Sequence, residues 1–142
     1  MRYRRLGYRY AMVLTASQPR QLAHDWRSGR LGVLIAQPRW RPPADVYETA
    51  ANIYVTVELA GVDPDELDVV LYEDAVVVEG QRRLPCVDAR GVYHVAEIRQ
   101  GPFRLELALP ASVDLEQVEA RYEGGLLQMT LARASGGERR GS

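Results

Sequence analysis

The sequence predicts an all-β chain: a two-sheet β-sandwich over residues 43–133, preceded by a partly helical or disordered arm (1–42) and followed by a short disordered tail (134–142). Two observations carry this. Apolar residues recur at period two in the runs that begin at Ile53, Leu67, Val76, Phe103 and Leu127, as half-buried strands require. The runs are separated by turn formers, Ala60-Gly61, Asp63-Pro64-Asp65, Glu73-Asp74 and Glu123-Gly124-Gly125.

In the arm, Met1–Thr15 is rich in Arg and Tyr. Its apolar run, Ala11–Leu14, is shorter than the core of a secretory signal, so neither export nor a membrane span is predicted and a cytoplasmic location is expected. Met12 is an alternative start for the chain. Ser17-Gln18-Pro19 reads as a helix start, after which Leu22 and Trp26 share one face; Ser28-Gly29-Arg30 ends it. Leu31-Gly32-Val33-Leu34-Ile35 is an aliphatic run holding two overlapping aliphatic-x-aliphatic triplets. Gln37–Pro43, with three prolines, is an extended, stiff boundary.

Ala44–Thr49 is a short strand expected at an edge. Asn52–Leu59 follows with Ile53, Val55, Val57 and Leu59 inward. Leu67, Val69 and Leu71 form the next inward row, then Val76 and Val78, the two strands reading as a hairpin. From Gln81 to Ala96 the alternation lapses, a gap long enough to be functional. Phe103, Leu105, Leu107 and Leu109 restore it until Pro110 ends the strand. Val118, Ala120 and Tyr122, the Gly124-Gly125 turn, and Leu127, Met129 and Leu131 complete the sandwich.

Several of these stretches resemble the small heat-shock proteins, whose alpha-crystallin domain is an immunoglobulin-like sandwich. They are Pro42-Pro43-Ala44-Asp45-Val46-Tyr47-Glu48, Leu59-Ala60-Gly61-Val62, Gly101-Pro102-Phe103, Leu109-Pro110, and Ala120-Arg121-Tyr122-Glu123-Gly124-Gly125-Leu126-Leu127. Their order and spacing over 42–133 make the likeness specific, with the bacterial type as the nearest pattern. The resemblance implies a groove at the sandwich edge that accepts aliphatic triplets; here it falls between Leu67, Val69, Leu71 and Val118, Ala120, Tyr122. It also implies that Val92-Tyr93-His94-Val95, in the long loop, crosses to a partner to make a homodimer; a plain surface loop is the alternative. The family places its triplet after the last strand, yet residues 134–142 contain no Ile, Val or Leu. Either the arm triplet at Leu31, Val33 and Ile35 substitutes for it, or that segment packs on its own domain. Ile98 and Leu105 stand where the family often carries a basic residue, with Arg99 and Arg104 next to them.

Charge is unevenly distributed. Residues 1–42 hold nine Arg and one acid, a balance of +8, and 43–142 balance at −9, so arm and domain attract each other within about 8–10 Å at physiological salt. No basic helix or aromatic-basic strand motif accompanies the arm's arginines, so nucleic acid is not an expected partner. One cysteine, Cys86, excludes an internal disulfide, and two histidines are too few for a metal trio. There is no phosphate-binding glycine loop and no nucleophile with a base in context, so neither enzyme activity nor a cofactor is expected.

The expected function is an ATP-independent holdase that binds partly unfolded clients, assembled as a homodimer and then a larger homo-oligomer. Leu22, Trp26, Leu31, Val33 and Ile35 are the arm's expected client contacts. An adaptor docking one folded partner is the competing function, separable by stoichiometry.

Overall fold

A computed structural model describes residues 2–6, 13–16 and 39–136. These form nine strands: β1 (Tyr3–Leu6), β2 (Val13–Ala16), β3 (Ala44–Glu48), β4 (Asn52–Glu58), β5 (Asp68–Tyr72), β6 (Ala75–Arg82), β7 (Gly101–Ala108), β8 (Val113–Glu123) and β9 (Leu126–Arg133). Two antiparallel sheets result, in the orders β2-β1-β5-β6-β7 and β3-β4-β9-β8. The only helical element among the described residues is a 3-10 turn, Pro64–Glu66, started where Asp63 accepts a hydrogen bond from the Asp65 N–H at 2.9 Å.

The inward rows read from the alternation meet between the sheets. Ile53, Val55, Val57 and Leu59 of the first row, Val69 and Leu71, Val76 and Val78, Phe103 and Leu105, and Leu127, Met129 and Leu131 are all buried. Leu105, standing where a basic residue was expected by likeness, is wholly enclosed opposite Val78. A cation there would have to be desolvated. Leu107 and Leu109 are only partly covered, because the strand is leaving the sandwich at that end.

Three features depart from the sequence reading. First, β8 is eleven residues long and begins at Val113, well before Val118. Val113 and Leu115 are buried, a register shift follows, and after it Val118 packs on the core instead of Gln117. Five steps along β8 match two along β9, and an odd excess of residues, here three, reverses which side chains face in. Second, the boundary segment contributes to the core. Trp40 is buried against Phe103, ring centroids 5.3 Å apart, and bridges it in parallel, donating N–H to Pro102 O at 3.2 Å and accepting from Arg104 N–H at 3.0 Å. Its indole also donates to Gly101 O at 3.2 Å. Third, the first sixteen residues supply β1 and β2, where the pattern Tyr-Arg-Arg-Leu had shown no apolar row. The expected helix with Leu22 and Trp26, the triplet residues Leu31, Val33 and Ile35, and the last six residues of the tail lie outside the described residues.

Phe103 fits because its register partner is Gly80. A Cβ at position 80 would stand 2.7 Å from Phe103 Cζ and 2.7 Å from the Glu66 carbonyl oxygen, so it would displace both. Gly80→Ala should therefore destabilise the domain by about 1–3 kcal/mol, the usual range for overpacking, seen as a lower urea midpoint with an unchanged slope.

Candidate functional site

A sandwich of open sheets presents unpaired N–H and C=O groups along its outermost strands. Among the described residues, the outermost strands are β2 and β7 in one sheet and β3 and β8 in the other.

The groove expected between β5 and β8 differs from its sequence description. β5 is not an open edge, because β1 lies along it in the register Tyr3↔Tyr72, Arg4↔Leu71, Arg5↔Val70 and Leu6↔Val69. Val69 and Leu71 are wholly buried and belong to the core, while Leu67 is half-buried just before the strand. On the other wall Val118 and Tyr122 are half-buried against the core, and Ala120, on the same face opposite the buried Met129, is exposed. Tyr122 is held by its hydroxyl, which donates to the Leu59 carbonyl. Beside it Leu59 N–H donates to Gly125 O at 2.8 Å. Gly124 and Gly125 both have positive φ, and a Cβ on Gly125 would stand 2.9 Å from Ala60 Cα, so the turn that carries Tyr122 requires glycine.

Where β1 enters the groove, Arg4 stands opposite Leu71 and its Nη1 donates to the Leu115 carbonyl of β8. Around it a depression is lined by Arg2, Glu73, Asp114, Glu116 and Ser135. Sequence reasoning had no means of finding this corner, since it joins four segments far apart in the chain.

The second candidate surface is the loop between Arg82 and Gly101. It contains no strand, and its apolar residues face solvent: Val92 is 82% exposed, Tyr93 65%, Val95 72% and Ile98 66%. His94 is exposed with them. Both roots of the loop are pinned by Arg82, whose Nε donates to Arg99 O at 2.8 Å and whose Nη1 reaches Ala60 O at 3.4 Å. Arg82 is 8% exposed and lies over the Trp40 ring, 4.3 Å from its centroid, an arrangement favourable to a cation. Opposite, β3 carries exposed Val46 and Tyr47, the latter tilted against Tyr54 with centroids 6.1 Å apart. Arg133 ties the end of β3 down, 2.9 Å from the Glu48 carboxylate and 3.3 Å from Thr49 O.

Charges on β6 and β7 form a small network. Arg104 donates to Glu79 at 2.7 Å and to Glu106 at 3.0 Å, and Arg39 lies 3.8 Å from Glu79. Burial alone would lower the Arg104 pKa, but hydrogen bonds to Glu79 and Glu106 and their charge outweigh it, holding the guanidinium above its ordinary value. Arg39 lies below its ordinary value, because burial is only partly offset by Glu79 and Arg104 repels it.

Among the described residues, no group of three His, Cys, Asp or Glu is placed to hold a metal ion, and no helix is long and apolar enough to cross a membrane.

A profile of the Hsp20/alpha crystallin family matches residues 45–141. The chain is 27% identical over 99 residues to small heat shock protein C2 of Rickettsia felis, covering 70% of this chain and 64% of that protein, and so spans less than two thirds of that relative's length. It is 31% identical over 116 residues to spore protein SP21 of Stigmatella aurantiaca, covering 81% of this chain and 66% of that one. Among solved structures, heat shock protein 16.0 from Schizosaccharomyces pombe superposes with a TM-score of 0.61 at 28% identity, over 68% of this chain and 89% of that chain.

Proposed function

Because the chain belongs to the Hsp20/alpha crystallin family, a family of non-enzymatic chaperones, we propose that it is an ATP-independent holdase that captures partly unfolded proteins and keeps them from aggregating. The observation that carries this is the run of exposed apolar residues in the 83–100 loop, Val87, Val92, Tyr93, Val95 and Ile98, on a domain whose own core is already complete. Surfaces of this kind on a well-packed domain mark association sites.

The residues 92–95 form the strand of a homodimer, crossing to a second copy and pairing with an open edge there. The edge of β3, with Val46 and Tyr47 exposed beside it, fits that role. Dimers then assemble into larger homo-oligomers through the arm, the triplet at Leu31, Val33 and Ile35 taking the part that a triplet after the last strand plays in the family. Leu22, Trp26 and the triplet supply most of the client contact, with weak single sites made effective by number. The groove residues Leu67, Val118 and Tyr122 offer a further docking wall for extended segments by strand addition. The location is cytoplasmic. An adaptor bound to one folded partner is not favoured by the family match.

The test is suppression of light scattering by a heat-aggregating client without nucleotide. The full chain should suppress it near stoichiometric ratios. A chain lacking residues 1–38, cut there so that Trp40 keeps its place on Phe103, should remain folded and suppress far less. No suppression by the full chain would overturn the holdase proposal, and equal suppression by the shortened chain would remove the arm from it.

A further inference from the structure

The groove between β5 and β8 already has an occupant, and its chemistry is unlike that of an aliphatic triplet. β1 is added to β5 by backbone pairing along its whole length, with β2 on its far side. Paired residues in an antiparallel ladder share a face, so Arg4, opposite the buried Leu71, stands on the side of the sheet that looks toward β8. There its guanidinium donates to Leu115 O and so joins the two sheets. An aliphatic-x-aliphatic segment in the same register would put a hydrocarbon at that position.

The surroundings explain why a cation is accepted. Glu73, Asp114 and Glu116 line the depression that also holds Arg2 and Arg4. The arm as a whole is strongly basic and the domain strongly acidic. The fit is nonetheless incomplete, because Arg4 Nε is buried with no hydrogen-bond partner. A buried donor left unpaired opposes docking. The hairpin is therefore held by backbone pairing and the bond to Leu115 O, among acidic neighbours that favour a cation, against a local penalty, which is the arrangement of a cap that can be released.

We propose that the β5 edge is a docking site selective for a basic strand, and that its resident occupant is the chain's own β1-β2 hairpin, an intramolecular cap that must leave before aliphatic or client segments reach β5. The consequence for clients rests on the holdase proposal; the docking itself does not.

The test is hydrogen exchange of the full-length protein, followed at the β5 segment, with β6 and β9 as controls for folding. Arg4→Glu should speed β5 exchange about tenfold or more, as the loss of a charge-assisted bond implies, and leave β6 and β9 unchanged. Arg4→Lys should stay close to wild type. Raising salt from about 0.05 M to about 1 M, which shortens the screening length to about 3 Å, should speed β5 exchange in the wild type. Arg4→Leu is decisive for selectivity, because it turns residues 4–6 into an aliphatic-x-aliphatic triplet. Faster β5 exchange in that variant supports a basic-strand site; equal or slower exchange overturns it. Unchanged protection in Arg4→Glu overturns the cap, and wild-type protection that falls on dilution shows the occupant to be a neighbour's strand and overturns the intramolecular assignment. None of these readouts involves a client, so failure of the holdase proposal leaves them untouched.

Discussion

Replacing Phe103 with alanine should destabilise the domain by about 3–5 kcal/mol, the range for removing a large buried ring, against a total of about 5–15 kcal/mol for a typical domain. The cost belongs at the upper end, because three neighbours are shaped around this ring. Gly80 has no side chain that could move into the space, Trp40 leans on it from the boundary segment, and Leu105 is already enclosed two residues away. The cavity cannot readily collapse. Urea unfolding followed by tryptophan fluorescence would measure it, since Trp40 reports on the same contact. A loss below about 1.5 kcal/mol, the scale of a volume-conserving swap, would mean that the ring is not the keystone described above.

Substituting Arg82 with methionine should cost about 2–3 kcal/mol, as expected for hydrogen bonds from a charged donor, even though methionine retains much of the apolar contact with Trp40. The Arg99 and Ala60 carbonyls would lose their donor, and the indole its cation. The effect should also extend beyond stability. Arg99 lies at the C-terminal root of the 83–100 loop, so releasing it lets the residues 92–95 swing away from the orientation in which they would meet a second copy. Light scattering across a dilution series should then show a weaker dimer for Arg82→Met than for a control of equal destabilisation such as Gly80→Ala. Equal dimer affinity in the two variants would separate Arg82 from assembly.

Much of the sandwich could be read from the chain because a strand with one buried face writes its own alternation. Ile53 to Leu59 and Leu127 to Leu131 needed nothing else. The parts that escaped did so for identifiable reasons. The irregularity in β8 shifts the phase between Val113 and Val118, so extending the later pattern backward points Glu116 and Asp114 inward and misses Val113 and Leu115. Ala120 alternates correctly and shares the inward face with its partner Met129, yet it is exposed, since alternation cannot say how far the opposing sheet extends. Trp40 sits among prolines, a context that signals a boundary, and its burial is decided by Arg82 and Phe103, far along the chain. β1 was hidden most completely, because in the middle of this four-residue strand the position opposite the buried Leu71 is an arginine, Arg4, and a rule that seeks apolar inward residues reads such a strand as loop. Of the groove, Val69 and Leu71 read as an open wall because alternation marks an inward row without showing that β1 lies along the strand, and the acidic corner formed by Glu73, Asp114 and Glu116 exists only in three dimensions.

Trp40 fastens the base of the arm to β7, at the opposite side of the five-stranded sheet from the hairpin. Four interstrand spacings separate β2 from β7, about 19 Å, whereas the residues from 17 to 39 extend to about 76–83 Å at full stretch. A tether of that length does not limit the hairpin's reach, and an intramolecular dock of this kind is offered its strand at an effective concentration in roughly the millimolar range. A free peptide at micromolar levels competes poorly against that, so rivals must arrive on leashes of their own, from neighbours in the same assembly.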